Sequence, residues 1–373
     1  MTSHEFLSQT EWLRYKRHLQ LPGFDENAQM ALKKSKVLVV GAGGLGCPIL
    51  LYLAAAGIGK IGIVDFDVIN IENLHRQILY NESDVGRHKA IVASEKIKIL
   101  HPFVHIEVFN LAIDYENVKS ILFDYDVIVD GSDNFATRYL LNDACVIMDK
   151  PYIYGAVFQY EGQVSSFNVL LNNKRSCNYR NIYPVPPETG VIPSCAEGGV
   201  LGVLPGIIGC VQALEVIKLI TGLGELIVNS TWIFDSLSME SQKINISNPI
   251  PFRISDIIPI QNFCIPSVIN EIECYEDWEE KLKNFQLIDV RTVEERNTIS
   301  LGGMHIPMNS IKEEFNKIHD NKKEILFYCQ TGMRSKQAAQ IFQQLTEGKK
   351  IVYSLKGGIA SLKNVGLIFS KKD

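Results

Sequence analysis

The sequence holds no uninterrupted apolar run long enough to cross a bilayer. Its most apolar stretch, Gly199 to Val211, is short and broken by Pro205 and several glycines, whereas a span needs about 20 consecutive apolar residues. The opening MTSHEFLSQTEWLRYKRHLQ lacks the basic start and apolar core of a secretory signal. Cysteine is sparse. Eight in 373 residues make no dense disulfide framework, and without an export signal they are expected as reduced thiols in the cytoplasm. Basic excess is missing too: the formal net charge of -5 leaves no cationic footprint for nucleic acid and no polybasic segment for a membrane. What is there is a globular composition, 46% apolar and 21% charged, in a chain long enough for two domains.

The first two-thirds alternate strand and helix signals. Strands are expected at Lys36–Val40, Lys60–Asp65, Ile106–Phe109 and Asp126–Asp130, with helices at Cys47–Ala56, His88–Leu100 and Asn134–Asp149. The β-α-β order predicts a mostly parallel sheet with helices on both faces. Pro151–Val157 and Gln163–Val169 read as later strands, and Val200–Thr221 as a long buried helix. Asn172–Pro193 reads as a long loop, a length often reserved for function. Pro249, Pro251, Pro259 and Pro266 mark a linker. The tail resumes with strands at Phe285–Val290, Glu324–Cys329 and Ile351–Leu355 and a helix at Ser335–Leu345.

Gly41-Ala42-Gly43-Gly44-Leu45-Gly46 satisfies G-x-G-x-x-G between a strand and a helix. Glycine lets the backbone turn tightly and approach phosphate, and the helix start offers free N–H groups. Asp65 ends the next strand, where a carboxylate accepts from ribose hydroxyls. Alone this means a nucleotide, by default a dinucleotide. The later residues move the reading towards a triphosphate. Arg76 and Lys89 supply phosphate-neutralising charge. Asp133, at a strand's carboxyl end, is a candidate oxygen ligand for Mg²⁺. The plainer alternative is that Asp133 and Asn134 cap the next helix.

Several motifs recur together here: Arg14-Tyr15-Lys16-Arg17, the glycine loop, Asp65-Phe66-Asp67, Asn73-Leu74-His75-Arg76-Gln77, Gly86-Arg87-His88-Lys89, Ser132-Asp133-Asn134 and Cys195-Ala196-Glu197-Gly198-Gly199-Val200. From about residue 10 to about residue 245 the chain resembles the MoeB/ThiF adenylyltransferases, bacterial relatives of the ubiquitin-activating enzymes. The resemblance implies a homodimer that binds ATP through Gly41, Gly43, Gly44, Asp65, Asn73, Arg76, Lys89 and Asn134. It implies Mg²⁺ on Asp133 and an Arg17 that reaches across the dimer to the other subunit's triphosphate. Positioning and charge neutralisation would then carry the reaction, attack of a Gly-Gly carboxylate on the α-phosphate. Cys195 is the position that in relatives forms a thioester or acyl disulfide; its alternative is a small buried thiol. Many relatives hold zinc on two C-x-x-C pairs. Here Cys177-Asn178-Tyr179-Arg180 has lost the second cysteine and Cys264 stands alone. Four N/S ligands are needed, so no zinc is expected.

Cys329-Gln330-Thr331-Gly332-Met333-Arg334-Ser335 follows an apolar strand and precedes a helix, where backbone N–H groups favour a thiolate or persulfide. Four residues separate Cys329 from Arg334, a cradle better sized for sulfur than for phosphate. With Asp289-Val290-Arg291, Gly303-Met304-His305-Ile306-Pro307 and Lys356-Gly357-Gly358, this stretch resembles the rhodanese family. The resemblance implies a persulfide on Cys329 and a loop-shaping Arg334; Asp289 reads as a structural strand-end residue.

The expected fold is therefore α/β: a Rossmann-like, ubiquitin-activating-type nucleotide-binding domain with a mostly parallel sheet over residues 1–247, a linker over 248–267, and a small α/β rhodanese domain over 268–373. The expected activity is ATP-dependent adenylation of a ubiquitin-like sulfur-carrier protein ending in Gly-Gly. Sulfur transfer from a persulfide or thiosulfate donor follows, in a molybdopterin, thiamine or tRNA-thiolation pathway. Two rival readings are an NAD-dependent oxidoreductase with a regulatory rhodanese-like tail and a non-catalytic module that binds a ubiquitin-like partner.

Overall fold

The computed structural model describes residues 7–186, 199–246, 251–257, 270–272, 282, 284–318, 324–346 and 351–362. The chain divides into two compact units, residues 1–263 and 264–373. Most of the expected linker, 248–267, lies outside the described residues.

The first unit is built on an eight-stranded sheet. Strands β1 (Lys36–Val40), β2 (Lys60–Val64), β3 (His105–Phe109), β4 (Val127–Asp130) and β5 (Tyr152–Phe158) run parallel in the order β5-β4-β1-β2-β3. β1 is apolar at four consecutive positions because both its faces are covered. Val37 and Val39 face one core with helices α3 (Gly46–Ala56), α4 (Lys89–Leu100) and the long helix Val203–Thr221. Leu38 and Val40 face the other with α5 (Val118–Phe123) and α6 (Phe135–Ile147). Helices thus flank both faces, as the β-α-β order predicts.

Four features depart from the sequence reading. Two helices, α1 (Gln9–Leu19) and α2 (Glu26–Lys34), precede the first strand. Ser8 and Glu11 form a capping box on α1, and Glu11 pairs with Lys33 of α2 at 2.9 Å. Beyond β5 the sheet turns antiparallel, through β6 (Glu161–Phe167) and then β9 (Ser230–Asp235) and β10 (Ser241–Asn245), which follow the short ribbon β7 (Leu170–Leu171) and β8 (Lys174–Arg175). That ribbon and a 3₁₀ turn at Tyr179–Asn181 also give residues 172–186 more order than a plain loop; the rest of the expected loop, 187–193, lies outside the described residues. The helix Val203–Thr221, α7, starts three residues later than read and has the length and hydropathy of a membrane span. In the fold it packs on the sheet and buries Gln212 and Glu215.

The second unit has a parallel five-stranded sheet, β11 (Asn270–Ile272), β15 (Val352–Leu355), β14 (Glu324–Tyr328), β12 (Phe285–Asp289) and β13 (Met304–His305), in that spatial order. Helices α8 (Val293–Thr298), α9 (Ile311–Glu314), α10 (Met333–Leu345) and α11 (Gly358–Leu362) accompany it. Ile325 and Phe327 enter one core, Leu326 and Tyr328 the other.

Candidate active sites

In the first unit the chain leaves β1 and β4 at adjacent points, with β2 and β3 on one side and β5 on the other. Such a switch point opens a crevice at the carboxyl ends of the strands. Gly41 takes a left-handed φ of 95° there, and a Cβ on it would stand 2.6 Å from the Gly131 carbonyl oxygen. Glycine is therefore dictated by the approach of the two loops. Gly43 meets a lesser constraint: its nearest neighbour is Gln77 Nε2 at 3.6 Å from an added Cβ. Backbone there lies open to a ligand, and Gly44 is lined by Pro205 and the Arg76 stem.

Asp65 locks this loop. Its Oδ2 accepts from the Ala42 amide at 2.7 Å and its Oδ1 from the Asp67 amide at 2.8 Å. Burial pushes the Asp65 carboxyl up, opposed first by nearby Lys89. Each oxygen keeps a further acceptor position for a ribose hydroxyl. Lys89 is buried, and its Nζ pairs with Asp67 Oδ2 at 2.9 Å. The contact arises because Val68 and His88 form an antiparallel bridge and the Lys89 amide donates to the Asp67 carbonyl at 2.9 Å. Tyr80 closes the floor, its hydroxyl donating to the carbonyls of Ala42 and Lys89.

Asn73 is buried and its Oδ1 accepts from the Asn70 amide, which fixes the turn that presents Arg76. The Arg76 guanidinium donates to the Glu72 carbonyl at 3.1 Å and has no carboxylate partner among the described residues. Asp133 is exposed and takes part in no hydrogen bond or ion pair among the described residues. Asn134 caps α6 by accepting from the Thr137 amide at 2.9 Å, the plainer of its two expected roles. Arg17 is exposed on α1, and its side-chain hydrogen bond goes to Gln20. Cys195 lies outside the described residues.

The sequence reading missed Asp67 as the partner of Lys89, and it also missed Asp130 and Gln77. Fully buried Asp130 accepts from the Ser132 amide and hydroxyl and from the Tyr152 hydroxyl at 2.5 Å. Burial pushes its carboxyl up. Buried Gln77 has an Oε1 with no partner among the described residues. Both polar types sit in short motifs beside the glycine loop, which was the available signal.

At the position where the resemblance implies a second cysteine after Cys177, an ion pair stands. Arg180 replaces the missing cysteine and grips Asp143 with two hydrogen bonds, Nε to Oδ1 at 2.8 Å and Nη2 to Oδ2 at 2.6 Å. Its guanidinium lies over the Tyr139 ring, 4.8 Å from the centroid. The Tyr139 hydroxyl donates to the Tyr183 and Val185 carbonyls. Cys177 is tied to Asn229 Oδ1 by its amide at 2.9 Å and its thiol at 3.0 Å. Among the described residues no cluster of three potential metal ligands forms; Cys264 is outside them.

In the second unit Cys329 is fully buried at the end of β14, and the Gly332 amide donates to its Sγ at 3.1 Å. Gly332 has φ 91°, and an added Cβ would meet the Gly357 nitrogen at 2.9 Å. The first residues of α11 brace the loop through Ile359 N to Cys329 O at 2.9 Å and Ala360 N to Gln330 O at 3.0 Å. Ser335 pins it from below by its hydroxyl, to Gly332 O at 3.0 Å and Ser354 Oγ at 2.9 Å. Arg334 holds Glu295 with two prongs, at 2.8 and 2.6 Å. Asp289 is fully buried, with both oxygens taken by Arg291, the strand-end structural role read from the sequence.

These sites define a two-unit α/β enzyme, with a nucleotide crevice in one unit and a sulfur cradle in the other. Residues 15–251 match the ThiF family and residues 275–364 the rhodanese-like domain. A probable adenylyltransferase/sulfurtransferase MoeZ of Mycobacterium tuberculosis is 40% identical over 370 residues, covering 95% of this chain and 93% of the relative. A sulfur carrier protein adenylyltransferase of Thermus thermophilus is 44% identical over 234 residues, covering 62% of this chain and 86% of the relative. Among solved structures, MccB of E. coli superposes with a TM-score of 0.57 at 24% identity, covering 68% of this chain and 76% of MccB, a likeness of fold. The chain belongs to the ThiF family and joins an adenylyltransferase to a rhodanese-like sulfurtransferase domain.

Proposed function

We propose that the protein uses ATP to adenylate the terminal Gly-Gly carboxylate of a ubiquitin-like sulfur-carrier protein and then replaces AMP with sulfur delivered by Cys329. The observation that carries the first half is the crevice: open glycine backbone at Gly43, with Arg76 and Lys89 as cations beside it. A triphosphate needs that charge; a nicotinamide dinucleotide needs less of it.

In this reading Asp65 and Asn73 orient the ribose, and the loop amides with Arg76 and Lys89 bind the phosphates. Asp133 offers free carboxylate oxygens of the type a hard cation prefers, so it would hold Mg²⁺, which supplies further phosphate neutralisation. The carrier carboxylate attacks the α-phosphorus and pyrophosphate leaves. Arg17, exposed on α1, would serve the triphosphate of a second copy in a homodimer.

In the second half the Cys329 persulfide attacks the acyl carbon. A carbon–sulfur bond forms, the bond to AMP breaks, and AMP departs. A second thiol then attacks the Cys329 sulfur, forms a disulfide with it and releases the thiocarboxylate. An external thiol can supply that attack, while Cys195 keeps the role its position implies, a thioester or acyl disulfide with the activated carrier. An external thiol reduces the disulfide. The Gly332 amide on Sγ supports a stabilised sulfur anion. The carrier accepted decides between molybdopterin synthesis, thiamine synthesis and tRNA thiolation. We place the protein in the cytoplasm and without zinc.

Intact-mass analysis of a Gly-Gly carrier after incubation with protein, ATP, Mg²⁺ and a sulfur donor tests the reading. Wild type should convert the carrier to its thiocarboxylate, and Asp133→Ala should leave it unmodified. Cys329→Ala should accumulate adenylate without thiocarboxylate. An unmodified carrier with wild type and every family-type carrier tried would defeat the proposal.

A further inference from the structure

The rim of the sulfur cradle carries an arginine whose charge is already engaged. Arg334 lies within reach of the Cys329 side chain, and both its terminal nitrogens are bound to Glu295, at 2.8 and 2.6 Å. Glu295 is itself fixed. Its Oε2 accepts from the Thr292 amide at 2.9 Å in a capping box, and its carbonyl accepts from Arg291 at 3.3 Å. The nearby Arg291 and Arg296 serve buried Asp289, while Lys356 is exposed on the turn after β15. On the loop beside Arg334, Thr331 and Met333 are exposed.

We propose that Glu295 is a specificity-determining residue for the sulfur donor. By occupying both prongs of Arg334 it withholds that cation from an incoming dianion, so the loop disfavours small dianionic sulfane donors and favours donors of lower charge. The inference rests on the reading of Cys329 as the sulfur carrier. Glu295 acts through Arg334 and touches no reacting atom.

The probe is thiosulfate with cyanide as acceptor, on the full chain. The Cys329 thiolate attacks the outer sulfur of thiosulfate, the new S–S bond forms, the old one breaks, and sulfite leaves with the electron pair. Cyanide then removes the outer sulfur as thiocyanate and restores the thiolate. Glu295→Gln keeps an oxygen acceptor for the capping box but releases the charge of Arg334. It should lower the thiosulfate KM roughly fivefold, the scale of a partly exposed charge interaction, with kcat within about twofold. High salt should shrink the gain, and the double variant with Arg334→Gln should lose it. A purely structural Glu295 would instead raise KM and cut kcat together. An unchanged or raised KM in folded Glu295→Gln overturns the proposal. If that variant does not fold, Glu295→Ala, which removes the carboxylate from Arg334 altogether, carries the same expectation, and an unchanged or raised KM in it counts equally against the proposal. Cys329→Ala separates the levels: turnover that survives in it refutes the carrier reading, whereas its loss beside an unchanged Glu295→Gln KM refutes this inference alone.

Discussion

At the scale of single residues, the clearest lesson lies at Arg180. In the family pattern its position would be a metal ligand, and here it is half of a buried, two-pronged ion pair with Asp143. A buried pair is worth little against an apolar replacement, but removing one partner strands the other. Asp143→Ala should therefore cost about 3–5 kcal/mol, read as a lower denaturant midpoint, while elemental analysis of wild type should find less than one zinc per chain. Stoichiometric zinc would mean that residues beyond those described assemble a site. Glu295 offers a second residue-level check. Its carboxyl is held at about 2, first by its hydrogen bonds to Arg334. A folded value below the ordinary 4.5 means the pair's stabilisation is complete above about 4.5 and drains away as the pH falls towards about 2. The gap in melting temperature between wild type and Glu295→Gln should thus close on acidification; a gap that widens would contradict the pairing.

At the scale of elements, the glycine loop separates structural from ligand-facing positions. Gly41→Ala forces a Cβ into the Gly131 carbonyl at a left-handed φ and should destabilise the first unit by more than about 2 kcal/mol. Gly43→Ala has room and should keep the wild-type melting temperature while weakening ATP binding. Equal loss of stability in both would refute the distinction. The first four strands and the helices α3, α4 and α6 were legible because β-branched runs and glycine punctuation are local signals. The antiparallel half was harder: β10 reads SQKIN and is exposed along its length, so no apolar pattern announces it. The pairing of Lys89 with Asp67 was hidden for another reason. It depends on a chain reversal that brings residues 22 apart together, and no periodicity encodes that. The cradle around Cys329 was legible through its loop length, but the grip of Glu295 on Arg334 spans 39 residues and waits on the fold.

At the scale of the whole molecule, two units with separate cores divide one conversion between them. The division predicts that Cys329→Ala retains carrier adenylation and that Asp133→Ala retains sulfur transfer to cyanide; loss of both activities in either variant would contradict it. The central claim concerns the first unit, where exposed backbone and two cations hold a triphosphate for a protein carboxylate. ATP–pyrophosphate exchange measured with and without a Gly-Gly carrier tests it most directly. The account predicts exchange that requires the carrier and collapses in Arg76→Ala and Lys89→Ala. Undiminished exchange in both variants, or turnover of NADH with no need for ATP, would contradict it.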